Sequence, residues 1–215
     1  MSKEKPTKRT YNSSRRKEQA RLTNRQIVEA ARKLFIERGY SGATIDAIAQ
    51  EAGVSVETVY ATFGSKRAIL LRLVDFSIVG DDEPVPLLQR PGPQAVQQEK
   101  DQQRQIQLFA RDMQEIMGRM APLFGIMRVA AKTEPDISEI LKNLLNGRVH
   151  GMEEFIRYLT VNGSLQADLT PGEAAETVWA ISSAEVYSLL TIDRGWSGDQ
   201  YGHWLAKTLT KLLLK

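Results

Sequence analysis

The chain has 215 residues, of which 42% are hydrophobic and 26% charged, with a net charge of +3, ordinary values for a globular protein. At this length roughly 70% of the unfolded surface is buried on folding, so no disulfide or metal staple is required. There is no cysteine, which excludes thiol nucleophiles, cysteine-ligated zinc, iron–sulfur clusters and disulfides, and the two histidines, His150 and His203, argue against a multi-histidine metal centre.

Charge is unevenly placed. Residues 1–80 carry 15 Lys/Arg against 8 Asp/Glu, and residues 81–215 carry 14 against 18. A basic front on an acidic back suggests that the front meets a polyanion. No apolar run approaches the length of a membrane span, and the basic start lacks the apolar stretch of a secretory signal. The composition fits a reducing compartment, the cytoplasm.

Residues 1–21 lack apolar periodicity and read as a flexible basic arm. Thr23-Asn-Arg-Gln26 forms a capping box, so a first helix is expected from there, with Ile27, Ala30, Ala31, Leu34 and Phe35 on one face. Gly39 ends it. Thr44 can cap a short helix carrying Ile45, Ile48, Ala49 and Ala52, stopped by Gly53. Ser55 can cap another, with Val59, Tyr60 and Phe63. Ser65 precedes a longer helix over 66–79.

The stretch 80–93, GDDEPVPLLQRPGP, is rich in proline, glycine and acid and reads as a connector. The boundaries are therefore an arm over 1–21, a first domain over 22–79 and a second over 94–215. The second domain reads as helices throughout: about 95–119, one opened by Ala121-Pro122, one from Pro135 to about Thr160, one from Thr170-Pro171 over 171–190, and a last from Ser197 to about Leu214. No strand alternation competes. The class is all-α, with about nine helices.

The segment Thr44–Phe63, TIDAIAQEAGVSVETVYATF, places two short helices around Gly-Val-Ser, the helix-turn-helix pattern. Ala49 is small where the helices cross, and Gly53 supplies the positive φ of the turn. Ile48, Val54 and Val59 fill the wedge. A second helix of this size fits the major groove of B-DNA, about 12 Å wide.

Residues 23–75 closely resemble the DNA-binding domain of TetR-family transcriptional regulators. The matching elements are Arg38-Gly39-Tyr40, Thr44-Ile45, Ile48-Ala49, Ala52-Gly53-Val54-Ser55, Thr58-Val59-Tyr60, Phe63 and Ser65-Lys66. The resemblance implies a homodimer on a double-stranded operator, with a helical, ligand-responsive second domain. It implies phosphate contacts by Thr44, Tyr60 and Lys66, and base-facing positions at Ser55, Val56, Glu57 and Thr58. Many relatives carry a basic residue and a glycine where this chain has Val56-Glu57. Val56 can pack on a thymine methyl and Glu57 can accept from a cytosine amine. Arg21 and Arg25 join the DNA-contacting set, and the arm would reach a flanking minor groove.

The five internal methionines all lie between 113 and 152, close to several phenylalanines. Methionine lines adaptable apolar cavities, and it also simply fills cores. The candidate lining of a pocket for a small, largely apolar effector is Phe109, Met113, Met117, Phe124, Met127, Phe155 and Trp179. The resemblance implies that the last two helices pair with their twofold mates. The candidate interface is Trp179, Tyr187, Tyr201, Trp204, Leu205, Leu209 and Leu212, because that apolar face is too wide for one neighbour. His150 and Glu154 stand four apart and are read as a solvated pair rather than metal ligands; no cofactor, metal or membrane partner is expected. An enzyme would need converging nucleophile, base and orienter, and none is recognisable. The alternatives are a nonspecific architectural DNA-binding protein and, further off, a helical enzyme on an apolar substrate.

Overall fold

A computed structural model describes residues 13–81, 83 and 85–215. Among these it is all-helical, with nine helices of eight or more residues. Helix α1 spans Ser13–Gly42 and is broken at Gly39, whose φ of +70° lies in the left-handed region. The expected arm is thus helical from Ser13 onward. Residues 13–21 contain strong helix formers, and Arg21 pairs with Glu18 one turn away at 3.0 Å, so nothing interrupts the helix before the apolar stripe. Thr23 sits inside the helix and its capping box does not form. Residues 1–12 of the expected arm lie outside the described residues.

Helices α2 (Ile45–Ala52), α3 (Val56–Phe63) and α4 (Lys66–Val79) follow, each with its N-terminal side-chain cap in place. After a 3₁₀ turn at Leu87–Gln89 comes α5, Pro91–Gln98, which starts inside the expected connector. The structure breaks at residues 99–101, where Asp101 caps α6 by accepting from the Arg104 N–H.

Helix α6 runs unbroken from Gln102 to Ala130, straight through Pro122. The expectation of a new helix there fails. Proline in a helix interior costs about 3 kcal/mol, by losing one N–H and crowding the carbonyl four residues back. Here Ile116, Met117, Met120, Ala121, Leu123, Phe124 and Met127 are buried on both sides of it, and that burial outweighs the local preference.

Helix α7 is Pro135–Asn162 and α8 is Pro171–Ile181, the latter opened by the expected Thr170/Glu173 capping box. The expected single helix over 171–190 is interrupted at Ser182. Ser183 caps a five-residue α9, Ala184–Ser188, and a π turn follows at Leu189–Asp193. Helix α10, Gly198–Leu213, starts with the expected Ser197/Gln200 box.

There are two apolar cores. One joins α1–α4 to the second half of α6 and the start of α7. The other joins α5, the start of α6, the end of α7, α8 and α10. The connector therefore divides the chain but not the core, because α6 serves both.

Asp112 on α6 is pushed up to about 6, first by burial and then by the charge of Glu115. An acid with a raised folded pKa favours the folded state when protonated. That contribution is complete below pH 3.8 and is lost as pH rises through 6. Asp112→Asn should therefore stabilise the chain by about 1 kcal/mol at pH 7, the shift being discounted for partial solvent screening. The gain should vanish by pH 4. Denaturation midpoints at the two pH values check this.

Candidate nucleic-acid interface and effector cavity

The two short helices are built from local signals. The Thr44 hydroxyl accepts the Ala47 N–H at 3.1 Å and opens α2. Gly53, at φ +67°, turns the chain, and the Val54 N–H closes onto the Ala49 carbonyl at 3.0 Å. Ile48 and Val59 are fully buried between the helices, with Ala49 at the crossing. Lys33 of α1 reaches Glu51 of α2 at 2.7 Å across the outside.

Many of the expected contact residues are exposed. Thr44, Ser55, Glu57 and Tyr60 are exposed, as are Arg21 and Arg25 on α1. Ser55 caps α3 by accepting from the Thr58 N–H at 3.2 Å, and the two hydroxyls lie 3.1 Å apart. Those hydroxyls first serve the helix start. Val56 is half-buried and packs on the first core, so only part of it faces outward. The Glu57 carboxyl is held below the usual carboxylate range by its own backbone N–H and by the Ser55 hydroxyl. A fixed negative charge therefore stands in the first turn of α3, where it also meets the positive end of the helix dipole.

Lys66 is more constrained than its sequence position suggests. Its ammonium donates to the Tyr40 carbonyl at 2.9 Å and sits 4.2 Å from the centre of the Tyr40 ring. Burial lowers its pKa.

A second site lies where the two cores meet. A cavity of about 290 Å³ is lined from α6 by Met113, Ile116, Met117, Met120 and Phe124, from α7 by Asn143, Leu144, Gly147, Arg148, Gly151 and Met152, and by Ile78 and Leu87. Of the expected lining, Met113, Met117 and Phe124 are here. Phe109 and Phe155 are instead stacked on each other, 4.0 Å between centroids, inside the second core. Met127 is fully buried in the first core. Trp179 packs in the second core beneath the Arg148 guanidinium, 5.6 Å from its ring centre. Met120 and Met152 belonged to the methionine cluster, but Ile78, Leu87 and Arg148 escaped sequence reasoning. The only cue for Arg148 was a lone base between two helical glycines.

Three of the seven residues of the expected intersubunit face are internal. Tyr201, Leu205 and Leu209 are fully buried by the chain itself, chiefly beneath α6, and cannot meet a second copy. The face is wide because α6 and α8 both cover it. Tyr187 is half-buried with its ring edge-on to Tyr201 at 4.8 Å. Leu212 remains exposed and Trp204 partly so. His150 faces Glu153 at 3.0 Å while Glu154 pairs with Arg157, so the expected His150–Glu154 contact is not made. Among the described residues no three acidic or histidine side chains cluster as a metal site would require.

A capped helix pair with an exposed second helix, set on a helical body, defines the class: a helix-turn-helix DNA-binding domain joined to an all-α second domain. That first domain is of the TetR type: residues 27–73 match the family model described as bacterial regulatory proteins, tetR family. Its sequence is 39% identical over 61 residues to the HTH-type transcriptional regulator TtgR of Pseudomonas putida, covering 28% of this chain and 29% of that protein. It is 53% identical over 45 residues to HbdR of Aromatoleum sp., covering 21% and 20%. Over 59 residues it is 42% identical to the transcriptional activator FasR of Mycolicibacterium smegmatis, covering 26% and 27%. The chain thus spans less than a third of the curated relatives it matches.

The fold extends further than the sequence likeness. A TetR-family structure from Syntrophomonas wolfei superposes with a TM-score of 0.68 at 20% identity, covering 89% of this chain and 95% of that one. NalD of Pseudomonas aeruginosa, the secondary repressor of the MexAB-OprM multidrug efflux pump, gives 0.65 at 19% identity, covering 91% and 98%. At such identity these show a shared fold.

Proposed function

We propose that the protein is a sequence-specific transcriptional regulator, a repressor that binds a pseudo-palindromic operator as a homodimer in the cytoplasm. The observation that carries this is the exposed, side-chain-capped α3 standing on a fully buried Ile48–Val59 wedge. Two such helices related by a twofold axis enter successive major grooves, roughly 34–36 Å apart. FasR is named an activator and NalD a repressor, so proteins similar to this chain include both polarities. A small, largely apolar ligand in the cavity between the cores would release DNA by fitting the mis-spaced dimer better than the DNA-bound one. Ile78 lines that cavity from the end of α4, so a ligand there touches the helix that carries the DNA-binding unit.

Selection of bound duplexes from a random pool tests the main reading. It should return a twofold-symmetric site. Enrichment of no sequence would favour a nonspecific architectural protein instead. Lys66→Ala should weaken binding to all sequences alike and lower the salt slope by about 0.9 per phosphate contact removed. Titrations of affinity against salt concentration read this directly. Glu57→Ala should instead change the preferred base at one step, which repeating the selection would show.

A further inference from the structure

The cavity between the cores is apolar except at Asn143 and Arg148 of α7. Met117, Met120, Phe124 and Met152 are buried on its walls, with Ile116 and Ile78 beside them. Arg148 of α7 is the one charged residue in its lining. The guanidinium is partly accounted for. Nη2 donates to the Trp179 and Ser182 carbonyls at 3.2 and 3.1 Å, with the Ser182 hydroxyl at 3.4 Å, and so caps the end of α8. Among the described residues, Nη2 is the one guanidinium nitrogen of Arg148 with a hydrogen-bond acceptor. Among the described residues no carboxylate forms an ion pair with Arg148, and Glu185, the acid acting most strongly on it, is paired with Arg128.

Two further donors nearby are also unanswered. The Tyr201 hydroxyl and the Trp179 indole N–H are buried without a partner. Burial lowers the Arg148 pKa, as expected for a cation short of counter-charge.

The cavity mouth gives an independent sign. Gly147 and Gly151 stand one turn apart on α7, in ordinary helical conformation. Glycine inside a helix costs about 1 kcal/mol relative to alanine. A Cβ at either position would meet nothing within 4 Å, so packing within the chain does not demand them. What they provide is room beside Arg148.

We propose that this cavity takes an apolar monocarboxylate, its chain among the methionines and its carboxylate on Nε and Nη1 of Arg148. This rests on the ligand-responsive reading above and names the chemical class of the ligand. A monoanion balances a single guanidinium, whereas a dianion would leave uncompensated charge in a low-dielectric site. A carboxylate also matches the planar guanidinium edge. A cavity of about 290 Å³ stands at the small end of ligand pockets, which suits a medium-chain acid such as octanoate.

The test is calorimetric titration of the full chain, without DNA, with octanoate, octanamide and octylamine. Octanoate should bind at least about tenfold more tightly than octanamide, and octylamine most weakly. Arg148→Gln should remove the preference for octanoate while leaving octanamide within about threefold. Arg148→Lys should retain part of it. Gly151→Leu should weaken both ligands by filling the mouth.

Equal binding of octanoate and octanamide to the unaltered chain would overturn the proposal. So would no saturable octanoate binding, or a preference that survives Arg148→Gln. Operator release is a separate readout. Octanoate that binds without releasing DNA supports this inference and contradicts ligand-driven release; release by neutral apolar compounds alone does the reverse.

Discussion

Ile48→Ala should lower folding stability by about 2–5 kcal/mol and abolish specific DNA binding. Ile48 is fully buried where α2 and α3 meet, and Ala49 beside it is held against the crossing. Neither helix is long enough to stand alone in water, so their mutual burial is what keeps α3 at its angle. Removing the side chain leaves a void that the neighbouring Val59 and the capped turn cannot close without moving α3. A loss of this size is a large part of the stability of an ordinary domain. Ile36→Ala, on the outer face of α1 at 49% exposure, should change stability by less than about 0.5 kcal/mol. Denaturant midpoints and operator affinity for both variants check the contrast. Unaltered binding by Ile48→Ala would show that the wedge does not position α3.

The DNA-binding unit was legible because its determinants are local. Thr44, Gly53, Ser55 and Ser65 each act on backbone groups within a few residues, and their caps formed as expected. The second domain was legible only as helices. Which face of α10 is covered depends on α6, nearly a hundred residues earlier, and no periodicity in α10 states that the cover comes from the same chain. Tyr201, Leu205 and Leu209 therefore looked like an intersubunit seam and proved internal. Pro122 misled for a related reason: its local preference to start a helix is overridden by buried neighbours on both sides. Arg21 and its surroundings read as an arm because they lack an apolar stripe, yet a polar segment extends an existing helix readily once nucleation has been met. Phe109 and Phe155 have the composition of a pocket and the geometry of a stacked core pair.

Arg119→Met should uncouple the cavity from the DNA-binding unit. Arg119 of α6 donates from Nε to the Ser77 carbonyl at 2.7 Å and from Nη2 to the Ile78 carbonyl at 3.3 Å. These are last-turn carbonyls of α4, which have no partner within their own helix, and a cation there complements the helix dipole. Met117 and Met120, on the same turn of α6, line the cavity, and so does Ile78. A ligand entering between them presses on both helices, and the Arg119 clamp makes α4 follow α6. Methionine keeps the apolar stem and removes the clamp. Losing hydrogen bonds from a charged donor costs roughly 1.5–3 kcal/mol, so the variant should be less stable but folded. Its operator affinity without ligand should stay close to that of the unaltered chain. The loss of affinity caused by a releasing ligand, 5–150-fold for ordinary coupling energies of about 1–3 kcal/mol, should shrink to a few-fold. Because ligand binding itself is measured separately, a variant that binds ligand normally and still releases DNA fully would show that the coupling runs through another contact between α4 and the second domain, such as Arg67 with Glu139 of α7.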